Sequence, residues 1–362
     1  MIGIVAATGG VGTAASRQLR SWGTDRLRLG VRDPRRGAAL ASELGPGVEV
    51  AAVDVTDSAA LRRFCDGCTV VLNCAGPAVD VGDRVASAAV EAETGYVDPA
   101  AGGDLLSGLD RLDPARRGVA AVLAAGLQPG LTGLLPRLLA RRLPLVGGVV
   151  SGYIGGRDRF TVSGATDYLR GSDDFGVAFA QWRDGTRVLG LAEQAEVELP
   201  FFPERVTVRP YLSTELESFA VHVRLSEATW GNVLAGKHLR DALGRTAALS
   251  RSDPGAAAAE LRAAAELDLF GRSPYHVVLV EAVAPDGSAA SVMVRGTGAT
   301  ELTGAVAALT TRAVESGDVP PGLHQAADVM DPDAVLTLLR TADAVTAVEY
   351  LDGPARLDEE EL

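Results

Sequence analysis

Lysine is almost missing from this chain. Lys237 is the single lysine among 34 basic residues, so all other fixed positive charge is arginine. A Schiff-base or lysine-acid mechanism has one residue to draw on, and Lys237 reads as a solvated surface side chain. Cysteine is scarce too. Cys65, Cys68 and Cys74 fall within ten residues, and the odd number leaves one unpaired in any disulfide scheme, which points to a reducing compartment. Cys65-Asp66-Gly67-Cys68 has C-x-x-C spacing but no second pair and no nearby histidine. Zinc wants four ligands and a redox pair wants a thioredoxin context, so the cysteines read as small buried apolar residues and no metal is expected. No window approaches the roughly 18–20 uncharged apolar residues of a membrane span. Met1–Thr8 has no basic n-region, apolar h-region or cleavage site. Both absences set the expectation of a cytoplasmic protein. G-x-S-x-G, H-E-x-x-H and Walker sequences are absent. Bases are outnumbered by 47 acids, for a net charge of -13, which disfavours partners such as nucleic acid or anionic membrane.

The chain has 362 residues, which suggests two domains at roughly 150 residues each. Hydrophobic residues make up 47% and charged residues 22%, close to globular averages, so a core forms without staples. The first third alternates strand-like and helix-like segments. Ile2–Ala6, Leu27–Val31, Val48–Val53, Thr69–Cys74, Gly95–Asp98 and Val119–Ala124 read as strands. Amphipathic helices lie between them, which predicts a doubly wound parallel sheet in an α/β fold. Beyond Gly126 the pattern changes. Val146–Tyr153, Arg187–Leu199, Arg205–Val208, Phe219–Leu225, Tyr275–Ala284 and Ala289–Thr297 read as strands, several of them alternating, which predicts an antiparallel sheet. Leu131–Arg142, Ala256–Ala265 and Glu301–Ser316 read as helices. Asp331-Pro332 caps a last helix, and the acidic tail Leu357–Leu362 reads as disordered.

Ile4-Val5-Ala6-Ala7-Thr8-Gly9-Gly10-Val11-Gly12 lies between a predicted strand and a predicted helix. The spacing is that of G-x-x-G-x-x-G with Ala6 at the first glycine. Glycine allows the turn and the close approach of backbone to pyrophosphate, and the helix offers free N–H groups and a positive dipole end. The second strand ends at Arg32-Asp33-Pro34-Arg35-Arg36. An acid there holds the ribose diol of NAD and an arginine accommodates the 2′-phosphate of NADP. Arg32 and Arg35 favour NADPH, while Asp33 keeps the diol reading open. Asp54 and Val55 come after the third strand, at the adenine edge. Asn73, Ala75, Gly76 and Pro77 end the fourth, where the chain passes the nicotinamide ribose.

On these segments, with Gly95-Tyr96-Val97-Asp98 and Ala125-Gly126-Leu127-Gln128-Pro129-Gly130, the chain resembles the saccharopine dehydrogenase-like reductases. Pro321-Gly322-Leu323 and Asp331–Leu336 fit the same pattern. The resemblance implies a Rossmann domain at 1–125, an inserted mixed α+β substrate domain at 126–320, and a C-terminal segment at 321–362 whose helix returns to the first domain. Gly152–Phe160 and Ala165–Leu169 are similar to stand-alone thiazolinyl imine reductases of the enantiopyochelin type, which reduce a carrier-bound thiazoline to a thiazolidine. The implied partner is a small-molecule or carrier-protein-bound substrate, and a homodimer is expected. The arginine pattern wanted for the carboxylates of saccharopine is missing.

Imine reduction needs hydride at carbon and a proton at nitrogen, supplied by His, Tyr, Asp or Lys within hydrogen-bond reach. Tyr153 and Asp158 flank a double glycine that reads as a turn at a pocket edge. Asp98 lies beyond a strand end near the expected nicotinamide, or else caps the adjoining helix. His222 sits in an alternating stretch read as a strand. Tyr168 and Lys237-His238 are weaker. The rivals are a C=C reductase, an amino-acid dehydrogenase of the same family, and a protein that senses NADPH without turnover.

Overall fold

A computed structural model describes residues 1–170 and 175–356. The expected disordered tail Leu357–Leu362 lies outside the described residues. The chain divides into two compact units, one of Met1–Leu131 with Thr300–Asp343, the other of Thr132–Ala299 with Ala344–Leu362.

The first unit holds a seven-stranded sheet, every pair parallel: β1 (Ile2–Val5), β2 (Leu27–Val31), β3 (Val48–Ala52), β4 (Val70–Asn73), β5 (Gly95–Val97), β6 (Ala120–Leu123) and, late in the chain, β16 (Gly322–Gln325). The order is β16-β6-β5-β4-β1-β2-β3. β1, β4 and β6 are buried at every position, as short apolar runs covered on both faces must be. Ile2, Ile4, Leu27 and Leu29 pack on one face with Leu19 and Ala307, while Val5, Val71, Tyr96 and Ala121 pack on the other with Phe64. Each such fully buried aliphatic contributes roughly 1.5–3 kcal/mol. The helix Ala299–Ser316 crosses the helix Gly10–Ser21 closely: a Cβ on Gly304 would lie 2.5 Å from that of Ala14. The returning segment therefore begins at Thr300, ahead of the expected 321, and stops at Asp343.

The second unit is a ten-stranded mixed sheet rather than an antiparallel one. Its strands are β7 (Val149–Arg157), β8 (Gly176–Ala178), β9 (Ala180–Arg183), β10 (Thr186–Leu189), β11 (Gln194–Val197), β12 (Val206–Ser213), β13 (Glu227–Leu234), β14 (Tyr275–Val283), β15 (Ala289–Gly296) and β17 (Val345–Leu351). Central β7 pairs parallel with β13 and antiparallel with β14. The stretch expected as one strand over Arg187–Leu199 is two short strands, β10 and β11. Of Phe219–Leu225, expected as a strand, the first five residues end the helix Thr214–Val223 and Arg224 is its left-handed C-cap. Ser213 caps that helix by accepting from the Leu216 N–H, and Leu216, Phe219 and Ala220 bury one helical face.

Candidate functional site

The carboxyl ends of the parallel strands collect the first group of candidates. β1 runs into Ala6, whose φ of 56° is left-handed, the backbone a glycine would take at the first position of the loop. The Gly9 N–H donates to the Ala6 carbonyl at 2.9 Å. Gly12 passes so near that a Cβ would lie 2.5 Å from the Ala6 oxygen and 2.8 Å from Ala7 Cα. The helix that starts at Gly10 has Gly9 as its cap, no capping side chain and no acid in its first turn. Its leading N–H groups and positive dipole end therefore face outward at exposed Gly9 and Gly10.

At the end of β2, Arg32, Asp33, Arg35 and Arg36 are all exposed. Asp33 caps the helix Pro34–Leu44, its Oδ1 accepting from the Arg35 N–H at 2.9 Å. Arg36 donates from Nη2 to the Thr8 carbonyl at 3.1 Å, tying this basic tip to the glycine loop. Beyond β3, Asp54 accepts from the N–H and hydroxyl of Thr56, which lower its pKa with help from Arg32, and Val55 is half-buried beside it.

β4 and β5 carry a buried polar cluster at the same sheet edge. Asn73 Nδ2 donates to Asp98 Oδ2 at 2.9 Å, Tyr96 donates its hydroxyl to the same oxygen, and the Ala100 N–H donates to Asp98 Oδ1 at 2.8 Å. Asn73 Oδ1 accepts from the Ala75 N–H at 3.1 Å, which shapes the turn into Gly76 and the cis Gly76–Pro77 peptide. Burial first, then the Asp98 charge, pushes the Tyr96 pKa well up. Asp98 is 4% exposed with both oxygens engaged. These contacts place Asp98, a candidate proton donor from the sequence, to hold Asn73 and Tyr96. Sequence reasoning missed Tyr96, which looks like an ordinary core aromatic in a three-residue strand.

The acids of the second unit do not converge. Gly155 and Gly156 lie inside β7 rather than in a turn, because neighbouring backbone fills the space of a side chain. A Cβ would lie 2.0 Å from the Val233 oxygen and 2.2 Å from the Tyr275 oxygen, respectively. Tyr153 lies within β7, whereas Asp158 lies just past its end at Arg157. Tyr153 packs with the cluster around Val277 and Leu279, and burial first, then Glu281, raises its pKa. Asp158 accepts from the Arg159 N–H at 2.6 Å and from the Ala299 N–H at 2.5 Å, with His276 Nδ1 4.0 Å away. His222 is exposed in the last turn of a helix, not on a strand face. Tyr168 packs edge-on against Phe160, His238 Nδ1 lies 2.8 Å from Asp268, and Lys237 is exposed. Cys65 is buried and its thiol is pushed up to about 12 by that burial, while Cys68 and Cys74 are half-buried. No helix among the described residues is long and apolar enough to cross a membrane.

A glycine loop feeding an open helix N-terminus, in the strand order of the doubly wound fold, defines a Rossmann domain, here joined to a mixed-sheet domain. Residues 6–95 match the family model of NAD(P)H-binding domains, which makes NAD(P)H the cofactor. The fold is similar to that of apo saccharopine dehydrogenase (L-Glu forming) from Saccharomyces cerevisiae, with a TM-score of 0.69 over 97% of this chain and 99% of that one at 14% identity. A meso-diaminopimelate dehydrogenase variant from Clostridium tetani E88 aligns at a TM-score of 0.48 and 16% identity, over 92% of this chain and 95% of that one. No curated protein matches the chain.

Proposed function

We propose that the protein is an NADPH-dependent reductase acting on a C=N bond, with a thiazoline, free or carrier-bound, as its substrate. The observation that carries the cofactor choice is the tip of β2. Asp33, the one acid there, is committed to a helix cap, while exposed Arg32 and Arg35 stand beside an arginine that holds the glycine loop. In this reading Thr8, Gly9, Gly10, Val11 and Gly12 hold the pyrophosphate. Arg32 and Arg35 take the 2′-phosphate, Asp54 and Val55 border the adenine, and Asn73, Ala75, Gly76 and Pro77 line the nicotinamide ribose. Bound NADPH supplies the hydride. Asp98 is a positioning residue that keeps the Asn73 amide oriented toward Ala75.

The C=N substrate is supported by the resemblance carried by Gly152–Phe160 and Ala165–Leu169. Tyr153, kept protonated by burial, and Asp158, just past the end of β7 with its carboxylate held by the Arg159 and Ala299 N–H groups, are rival proton donors. The test is NADPH oxidation with a thiazoline panel. Turnover abolished in Tyr153→Phe but kept in Asp158→Asn assigns the phenol, and the reverse assigns the carboxylate. The scatter of Tyr153, Asp158 and His222 favours one second reading, an NADPH sensor without turnover. Tight NADPH binding with no consumption across the panel would establish it.

A further inference from the structure

Three arginines gather at one end of the second sheet. Arg157 ends β7, Arg295 lies on β15, and Arg272 lies in the loop that leads into β14. Tyr275 starts β14 directly opposite Arg157 in an antiparallel ladder, so the two side chains share a face. One carboxylate serves the group. Glu204 accepts from the Tyr275 hydroxyl at 3.1 Å and from Arg157 Nη2, and forms an ion pair with Arg272, whose Nη1 lies 3.5 Å away. Arg295 meets the ring of Tyr275, its guanidinium carbon 5.4 Å from the centroid, and Arg157 meets the same ring at 5.8 Å. Among the described residues Arg295 has no carboxylate partner.

Two features set this cluster apart from a surface ion pair. Arg157 is only 8% exposed, yet its Nε has no hydrogen-bond partner. A buried charged N–H without an acceptor is costly, and an incoming oxyanion is the kind of group that satisfies it. The guanidinium excess also runs against a chain with a net charge of -13. Guanidinium is planar, always charged and suited to bidentate contact with carboxylate or phosphate, and aromatic rings support it by cation–π contact.

The geometry points to an oxyanion-binding site formed by Arg157, Arg295, Arg272 and Tyr275, taking the carboxylate or phosphate of a small acidic metabolite. It shares no residue with the glycine loop or the β2 tip and does not depend on the proposed reductase activity.

The test is calorimetric titration of the full chain at low ionic strength with inorganic phosphate and, separately, glutarate, each with and without saturating NADPH. The expected result is saturable millimolar or tighter binding of one of the two, unchanged by NADPH. The anion that binds distinguishes phosphate from carboxylate. Arg295→Gln should weaken it by about tenfold, the effect of losing one charge-assisted contact. Arg272→Gln, a change at a side chain 58% exposed and therefore safe for folding, should weaken it severalfold with an unchanged melting temperature. Arg32→Ala should leave it intact. Absence of saturable binding, wild-type affinity in both arginine variants, or loss in Arg32→Ala overturns the proposal. Failure of NADPH to bind would count against the reductase reading alone.

Discussion

Asn73 and Asp98 are joined by a 2.9 Å hydrogen bond across the ends of β4 and β5, and Tyr96 donates to the same carboxylate oxygen. All three side chains are almost wholly buried. A carboxylate in such surroundings depends on every donor it has. Tyr96→Phe should therefore cost about 2 kcal/mol in urea unfolding, the range for a hydrogen bond to a charged group. Asn73→Ala should also release the Ala75 N–H and raise the KM for NADPH more than it lowers stability. Equal effects of the two changes on cofactor KM would contradict the positioning role.

The glycine loop makes opposite predictions at its two ends. Gly12→Ala forces a Cβ against the Ala6 carbonyl and the Ala7 backbone, neither of which can swing aside. Cofactor affinity should fall more than tenfold. Ala6→Gly removes a left-handed alanine, relieving roughly 1–2 kcal/mol of strain against a backbone-entropy cost of up to about 1 kcal/mol. The variant should be as stable as the parent or slightly more so, with NADPH binding kept. A clear destabilisation on thermal melting would show that Ala6 is not strained.

At the tip of β2 the expectation concerns selectivity. Arg32→Ala should weaken NADPH about tenfold or more in a fluorescence titration while NADH changes little, and the NADPH loss should shrink at high salt. Equal weakening of both cofactors would remove Arg32 from the 2′-phosphate.

How much of the fold and site is legible in the sequence depends on which forces act locally. β1, β4 and β6 are short apolar runs buried on both faces, and nothing but a covered parallel sheet accepts them. The loop at Thr8–Gly12 is legible because glycine spacing is itself the backbone requirement. Val221-His222-Val223 misleads because its alternation is incidental: Val221 and His222 are exposed on a helix whose buried face is set by Leu216, Phe219 and Ala220, a few residues earlier. Gly155-Gly156 reads as a turn because glycine permits turns, whereas here it admits neighbouring strands that only tertiary structure brings near. Tyr96 is hidden because its meaning depends on Asn73, a partner 23 positions earlier in the chain and one strand away.

His276 supplies a pH prediction. It lies on β14 opposite Gly156, its side chain 13% exposed, with its Nδ1 atom buried and unpartnered and the Asp158 carboxylate 4.0 Å off, too far for a hydrogen bond. Burial lowers its pKa to about 4. The unfolded chain takes up that proton near pH 6.5, while the folded protein refuses it until about 4. Stability from this residue is therefore full above pH 6.5, falls as the pH drops from there toward 4, and is level below. The loss amounts to roughly 3 kcal/mol. Other carboxylates titrate over part of the same window, so the informative quantity is the difference between wild type and His276→Leu. Between about pH 7.5 and 4.5 the urea unfolding free energy of the wild type should drop by roughly 2–3 kcal/mol more than that of the variant. Parallel declines in the two proteins would show that the imidazole takes its proton freely in the folded state.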